Sequence, residues 1–232
     1  MLPTPRGGRY PRTWGARPSR LRQNAFAVLY GPAAPVYDAF TRWLFLGEWE
    51  RWQRTALPLL PETGLVVEMG AGTADLARRG ARPSRPWLAV EPSPSMLRAA
   101  RRRRFPPETG LVRAEAGALP LPDGTAAAVV ATFPGPFILA PSTADEVRRV
   151  LRPGGVLVVV LDGRLRPDGI RRRVRRVALS LFYGRDAAPS ATGSAVFAGL
   201  EGMLRLIPTR HGEAAVFTAV READESARTP VP

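Results

Sequence analysis

The sequence contains no cysteine, no lysine and a single histidine, His211. Without cysteine, disulfides, zinc–thiolate centres and cysteine nucleophiles are excluded. One histidine excludes a metal centre built from several imidazoles, and the scattered acidic residues show no ligand spacing. We therefore expect neither a metal site nor thiol chemistry in this chain.

Arginine alone carries the positive charge, which amounts to a formal net charge of +14. Alanine and proline are also abundant, and this combination is typical of genomic base composition rather than of a dedicated binding surface. A basic surface nevertheless attracts anionic partners whatever its origin. We expect nucleic acid not to be the partner and keep a polyanion-binding surface as the alternative.

The chain has 232 residues, 45% of them hydrophobic, which suits one domain with a sizeable core. Its longest apolar stretch, residues 126–140, contains Pro134, Gly135 and Pro136 and is too short to cross a bilayer as a helix. Residues 1–24 are rich in arginine and lack the apolar region of a signal peptide. We predict a flexible tail at 1–24, a single domain at 25–232 and a soluble, cytoplasmic protein. Tethering to a membrane or nucleic acid, or a misassigned start codon, are the alternatives for the tail.

Short apolar runs alternate with helical segments through the middle of the chain. This order predicts an α/β, Rossmann-like doubly wound sheet that is mostly parallel and covered on both faces. The predicted core, residues 63–163, contains strands at 65–68, 87–91, 111–114, 127–132 and 156–162, and helices at 73–80, 94–104 and 143–151.

The flanking segments have a different character. Residues 25–62 precede the core and contain two predicted helices, at 36–46 and 48–60. Residues 164–232 predict an amphipathic, arginine-rich helix at 170–182 and two antiparallel strands near 204–208 and 215–221, joined by a tight turn at 210–212. The helix is interpreted as a solvated charged face over a packed stripe, with weak peripheral contact to an anionic membrane as the alternative.

Local signals mark three of these boundaries. Ser93 followed by Pro94 is an N-cap with proline at the first helical position. Residues 143–146 (Thr-Ala-Asp-Glu) read as a capping box that starts a helix. Residues 152–155 (Arg-Pro-Gly-Gly) should end that helix and lead into the last core strand.

A two-glycine turn follows the first core strand, which carries Glu68. Gly70 and Gly72 allow a tight turn whose backbone N–H groups can approach a ligand, next to the N-terminus of a helix. The second strand also ends in an acid, Glu91, where a ribose-binding carboxylate is expected in a βαβ unit. Together these features predict a site for a nucleotide-like cofactor.

Four segments, 66–73, 90–97, 114–124 and 146–155, occur in the order and spacing of a known family. In them the chain resembles the class I S-adenosylmethionine-dependent methyltransferases, close to the ubiquinone/menaquinone biosynthesis branch. The resemblance implies S-adenosylmethionine as cofactor. It also implies which residues hold that cofactor.

By this resemblance, the turn would wrap the methionine end of the cofactor over Glu68, and Glu91 would accept hydrogen bonds from both ribose hydroxyls. Thr132 and Phe133 would face the methyl group. Residues 25–62 resemble the helical lid of the family, from which Tyr37 would contact cofactor or acceptor. The implied cofactor-binding residues are Glu68, Gly70, Ala71, Gly72, Thr73, Glu91, Pro92, Met96, Glu115, Ala116, Thr132, Phe133 and Tyr37. Of these, Met96 would pack on the adenine, Glu115 would accept from its amino group, and the Ala116 N–H would meet the ring.

Two departures from the family pattern bear on these expectations. The usual third glycine of the turn is Ala74, which is tolerable if that residue has already entered the helix. Residues 133–137 (Phe-Pro-Gly-Pro-Phe) differ from the Asn/Asp-Pro-Pro-aromatic motif of nucleic-acid amino methyltransferases. An apolar, aromatic lid above the methyl donor instead favours a small hydrophobic acceptor such as a quinone precursor, a phenol or a lipid headgroup.

Methyl transfer from a sulfonium needs alignment and exclusion of water more than a dedicated acid–base pair. A phenol or enol acceptor would benefit from a base. His211 is the candidate, although its position in a hairpin turn predicts exposure, so catalytic residues stay unassigned.

Three functions besides small-molecule methyl transfer remain open. A dehydrogenase is the first, and it would need glycine where Asp75 stands. The second is a protein that binds the cofactor without catalysis, and the third is an RNA methyltransferase.

Overall fold

The computed structural model describes residues 47–165 and 192–222. The expected lid helix at 36–46, with Tyr37, and the expected amphipathic helix at 170–182 lie outside these residues. Among the described residues, no helix has the length and apolar character needed to cross a membrane.

The elements follow in the order α1 (Glu48–Arg54), a 3-10 helix (Leu57–Leu59), β1 (Val66–Met69), α2 (Asp75–Gly80), β2 (Trp87–Val90), α3 (Pro94–Arg101), β3 (Thr109–Val112), β4 (Ala126–Thr132), a second 3-10 helix (Pro136–Leu139), α4 (Pro141–Val150), β5 (Leu151–Leu165), β6 (Gly193–Phe197), β7 (Leu200–Pro208) and β8 (Gly212–Val220).

All eight strands form one sheet in the order β3-β2-β1-β4-β5-β8-β7-β6. The first five strands pair in parallel, whereas β8 pairs antiparallel with β5 and β7. The direction of winding reverses between β1 and β4, and a crevice opens at the carboxyl ends of strands at such a point. The predicted doubly wound, mostly parallel sheet with an antiparallel C-terminal strand is confirmed.

The sheet has an apolar layer on each face. Val66, Val130 and Val158 belong to one layer together with side chains of α1 and α2. Val67 and Val129 belong to the other, which α4 covers. Successive strand residues point to opposite faces, so strands buried on both sides must be apolar at every position.

The C-terminal part contains one more strand than predicted. Besides β7 and β8, β6 pairs antiparallel with β7 through a two-residue turn. Both turn residues have positive φ, 54° at Ala198 and 69° at Gly199, as a type I′ hairpin requires. Alanine at the first position of this turn is not a recognised hairpin signal, and β6 itself is rich in small residues, which explains why it was missed.

Two predicted helix boundaries were wrong. The capping box at 143–146 does not form, because α4 begins at Pro141 after Ala140, without a side-chain cap. The predicted helix 48–60 ends at Arg54 and continues only as a 3-10 turn. The cap at Ser93 is confirmed, since its Oγ accepts the N–H of Met96 at 3.4 Å.

The predicted break at 152–155 lies inside the first residues of β5. Ala126 pairs with Leu151, but Ala128 pairs with Val156, so the segment between bulges out of the ladder. Gly154 takes a positive φ of 75° within it. The glycine pair therefore allows α4 to pass directly into a strand.

Candidate cofactor and acceptor site

The turn after β1 is held in the predicted place by backbone geometry. Gly70 and Gly72 have φ values of 66° and 57°, and the Ala71 N–H donates to the Val90 carbonyl at 3.1 Å across the end of β2. A Cβ on Gly70 would come within 3.0 Å of the Phe137 ring. A Cβ on Gly72 would meet no atom of the described residues within 4 Å, so the turn opens toward free space on that side.

Glu91 lies directly against this turn. Its Oε2 accepts the Gly72 N–H at 2.8 Å, and its Oε1 accepts the Ser93 N–H at 2.9 Å. The residue is 5% exposed; burial raises the pKa of its carboxyl group, while the two backbone hydrogen bonds oppose that shift. The structure therefore brings together the turn and the acid that the sequence placed in one site.

Ala74 departs from its predicted conformation. It is the N-cap of α2 with φ 54° and ψ 39°, left-handed and outside the helix, which starts at Asp75. The expectation that Ala74 had already entered the helix was wrong. Residue 74 therefore has the left-handed backbone conformation that glycine adopts easily, and the Cβ of alanine makes that conformation unfavourable.

Glu68 is buried beneath the same turn, 2% exposed. Its Oε2 accepts the Trp87 indole N–H at 3.0 Å, and the Ala77 N–H also donates to the carboxyl group. Burial raises the pKa of Glu68 to about 8, against the effect of these hydrogen bonds. The carboxyl group thus ties α2 and β2 together, and burial favours its protonated form; its contact with a cofactor ammonium stays a prediction.

The first turn of α3 follows Glu91. Met96 is completely buried, and Pro92 is exposed with its carbonyl accepting the Arg113 guanidinium at 3.3 Å. Glu115 is exposed and Ala116 is 9% exposed in the loop after β3. That strand ends at Val112, earlier than predicted, so both residues lie on a turn closed by the Ala118 N–H and the Glu115 carbonyl at 3.1 Å.

Sequence reasoning missed the residue that holds this loop. The Arg149 guanidinium donates to the carbonyls of Leu119 and Leu121 at 3.1 and 2.7 Å and to the carboxylates of Glu146 and Asp123. Glu146 also accepts the Leu119 N–H at 2.6 Å. The Glu-Val-Arg-Arg segment at 146–149 was part of the family resemblance. Only the structure shows that Arg149 joins the loop to α4 through these hydrogen bonds.

The second part of the candidate site lies at the end of β4. Thr132 is the last residue of the strand, and its Oγ1 accepts the Gln53 amide at 3.2 Å. Phe133 follows with φ 48° and stacks on Trp49 of α1, with ring centroids 4.0 Å apart. Trp49 lies within the expected aromatic lid, but its stacking on Phe133 and the contact of Gln53 with Thr132 were not predicted, because nothing local indicates that α1 contacts β4.

Two titratable groups lie near the carboxyl ends of these strands. Asp162 follows Leu161 at a bulge in β5; burial raises the pKa of Asp162 to about 6, opposed by a hydrogen bond from the Gly163 N–H and by Arg164. His211 lies half-buried in the β7–β8 hairpin, and its backbone N–H donates to Glu48. Among residues 47–165 and 192–222, no group of three or more His, Cys, Asp or Glu side chains could hold a metal ion.

Comparison with known proteins agrees with this geometry. Residues 66–155 match the family of the methyltransferase domain. The chain is 34% identical over 139 residues to a demethylmenaquinone methyltransferase of Thermus thermophilus, and the match covers 57% of this chain and 63% of that protein. It is also 41% identical over 99 residues to a putative 23S rRNA (guanine-N(1)-)-methyltransferase of Micromonospora griseorubida, covering 41% of this chain and 31% of the relative.

Solved structures of other proteins share the fold of this chain. A SAM-dependent methyltransferase from Thermotoga maritima superimposes with a TM-score of 0.53 at 19% identity, covering 84% of this chain and all of that one. Residues 66–155 thus match a methyltransferase domain, and the described residues have the fold of a solved S-adenosylmethionine-dependent methyltransferase. It spans about three fifths of the length of the demethylmenaquinone methyltransferases it matches.

The residues of the turn fit the cofactor of this class, S-adenosylmethionine. Glycine at 72 leaves open space above the turn, and both oxygens of Glu91 are fixed by backbone N–H groups beside it. A carboxylate oxygen accepts more than one hydrogen bond, so Glu91 retains capacity for two ribose hydroxyls. The individual cofactor contacts remain predictions.

Proposed function

We propose that this chain transfers the methyl group of S-adenosylmethionine to a small, hydrophobic or aromatic acceptor. The observation that carries the proposal is the stacked pair of Trp49 and Phe133, which lines the end of β4 beside the glycine turn. Planar aromatic compounds bind well against such rings, because stacking adds to the burial of apolar area.

The bound cofactor supplies an activated methyl group, and the residues of the chain supply its surroundings. The turn at 70–73 and Glu91 would hold the methionine and ribose parts. Thr132 and Phe133 would set the direction from which the acceptor approaches, and the aromatic rings would exclude water. Positioning of this kind accounts for a large part of the rate of a displacement reaction.

Three observations support a quinone-like acceptor within this class. Two relatives with matching sequence over about this region are named for demethylmenaquinone and ubiquinone/menaquinone biosynthesis. Trp49 and Phe133 place two aromatic side chains at the end of β4. Where the acceptor is a phenol or an enol, Asp162 is the acid near this edge whose raised pKa suits proton transfer.

The test is turnover. Purified protein is incubated with S-adenosylmethionine and either reduced short-chain demethylmenaquinone or a panel of simple phenols, and methylated products are detected by mass spectrometry. We expect a product about 14 mass units heavier that depends on the cofactor and is absent with Glu91→Ala. Binding of the cofactor without any methylated product would instead support a cofactor-binding protein that does not catalyse.

An RNA acceptor is the second candidate, favoured by the similarity to the putative rRNA methyltransferase and by the net charge of +14. It predicts methyl incorporation into 23S rRNA fragments and retention on RNA that falls steeply with salt. Incorporation into RNA but not into any small phenol or quinol would replace the first proposal.

A further inference from the structure

Glu48 is a fully buried carboxylate at the start of α1. It accepts hydrogen bonds from the Thr209 hydroxyl, from the Arg51 guanidinium at 2.7 Å and from the His211 backbone N–H. Burial acts to raise the pKa of this carboxyl group, but the three hydrogen bonds and the positive charge of Arg51 together outweigh burial and hold its pKa below the ordinary value. A buried carboxylate is costly unless it is fully bonded, so this arrangement demands an explanation.

Two of the three donors come from a distant part of the chain. Thr209 and His211 belong to the β7–β8 hairpin, and Thr209 lies 161 residues from Glu48 in sequence. The hairpin is closed by its own bond from the Thr209 N–H to the Gly212 carbonyl at 2.9 Å. We call Glu48, Thr209 and the His211 N–H the α1 latch, because together they join α1 to the C-terminal hairpin.

The same helix carries the acceptor-side contacts. Trp49, next to Glu48, stacks on Phe133, and Gln53, further along the helix, bonds Thr132. Between them, Trp52 packs on Gly163 of β5 so closely that a Cβ there would overlap the indole. The helix is therefore seated on the sheet by one face and joined to the hairpin at its first residue.

Phe133 needs this support. Its φ of 48° is unfavourable for a residue with a Cβ and persists only where surrounding contacts over-determine it. The Trp49 ring is such a contact, and the position of Trp49 depends on the end of α1 that the latch holds. A loosened latch would thus free Phe133 as well as Trp49.

We propose that Glu48 is a positioning residue for the acceptor: through the α1 latch it holds Trp49 and Gln53 against Thr132 and Phe133. The proposal rests on the proposed methyl transfer, and it makes the C-terminal hairpin part of acceptor binding. The hydrogen bonds of Glu48 are made to α1 and to the hairpin rather than to the cofactor turn, so cofactor affinity should be independent of the latch.

The mildest test is Thr209→Val, which removes the hydroxyl and keeps the shape of the side chain. Thr125→Val is the matched control, because the Thr125 hydroxyl bonds the nearby Pro122 carbonyl at 2.9 Å in an exposed loop. Hydrogen exchange followed by mass spectrometry should show residues 48–54 exchanging about tenfold faster in Thr209→Val, with β1 and β4 unchanged, as expected for local opening. A merely global destabilisation would instead raise exchange in all segments and would overturn the proposal.

Kinetics and calorimetry complete the test. With reduced short-chain demethylmenaquinone as acceptor, Thr209→Val and Glu48→Gln should raise KM for the acceptor several-fold, while the Kd of S-adenosylhomocysteine stays within about twofold of wild type, because the latch lies away from the cofactor turn. Equal weakening of cofactor binding, or no change in exchange of 48–54, would contradict the proposal. Because hydrogen exchange needs no turnover, failure to find any acceptor would leave that measurement valid and would count against the proposed function alone.

Discussion

The two halves of the candidate site are built in different ways. The proposed cofactor half, residues 70–73, Glu91 and Met96, comes from one βαβ unit and depends on backbone N–H donors, such as the Gly72 N–H that donates to the Glu91 carboxylate at 2.8 Å. The proposed acceptor half, Thr132, Phe133, Trp49 and Gln53, joins parts of the chain that are far apart; Gln53 and Thr132 are separated by 79 residues.

This difference bears on how each half could change. Most contacts in the proposed cofactor half are made by backbone N–H groups, so they depend on the shape of the turn more than on the identity of its side chains. Aromatic and amide side chains on a packed helix can be exchanged without altering that turn. Acceptor choice can therefore vary while the cofactor half stays the same.

The largest expected effect concerns Glu68, the buried carboxyl group beneath the turn, and its dependence on pH. The pKa of Glu68 in the folded protein, about 8, lies above its ordinary value of 4.5. A raised carboxyl pKa means that the folded state binds the proton more tightly, so its contribution to stability falls as pH rises from about 4.5 to about 8. When the pH is raised from 5.5 to 9, the wild-type protein should therefore lose on the order of 3 kcal/mol more of its free energy of unfolding than Glu68→Gln does.

Urea unfolding at both pH values measures this difference, and Glu115→Gln, at an exposed carboxyl group, is the control. If the free energy of unfolding of Glu68→Gln differs from that of wild type by the same amount at both pH values, Glu68 is ionised in the folded protein. In that case the cofactor half would contain a buried charge rather than a neutral acid.

The next effect tests the carboxylate beside the turn. Glu91→Ala removes the partner of the Gly72 N–H and the acceptor that we propose for the ribose hydroxyls. Loss of a charge-assisted bidentate contact should weaken S-adenosylhomocysteine binding about 100-fold by calorimetry. Glu91→Gln keeps the size and one acceptor oxygen and should lose less; identical losses in the two variants would assign the effect to packing instead.

A smaller effect, on stability, is expected for Arg149, which holds the loop that contains Glu115 and Ala116. Arg149→Lys retains the charge but cannot make the fan of bonds to two carbonyls and two carboxylates. We expect the free energy of unfolding to fall by about 2 kcal/mol in denaturant titration. Arg148→Lys, at an exposed ion pair on the same helix, should change it by less than about 0.5 kcal/mol.

The smallest effect concerns the start of α2. Ala74→Gly removes a Cβ from a left-handed position with φ 54°. Relief of that strain exceeds the greater chain entropy of glycine only slightly, so we expect a stabilisation of at most about 1 kcal/mol. A fall in melting temperature would show that the buried methyl group of Ala74 contributes more through packing.

The two halves also differ in how much of each could be predicted from the sequence. The turn at Gly70 and Gly72, the acid Glu91 and the cap at Ser93 are signalled within a few residues. The turn and the cap were found as predicted, and the structure adds a direct contact between the turn and Glu91. The contacts of Trp49 and Gln53 depend on how α1 packs across the sheet, which no local pattern encodes. Likewise, β6 was missed because its turn contains Ala198 rather than a recognised hairpin residue.

The independence of the two halves is the central claim, and Trp49→Leu tests it most directly. This substitution removes the ring stacked on Phe133 and keeps an apolar side chain in its place. The measurement is the KM for reduced short-chain demethylmenaquinone together with the Kd of S-adenosylhomocysteine on the same preparation. The account predicts an acceptor KM raised about tenfold, which corresponds to the loss of an aromatic pair, with a cofactor Kd within about twofold of wild type. A cofactor Kd that rises in parallel with the KM would contradict it.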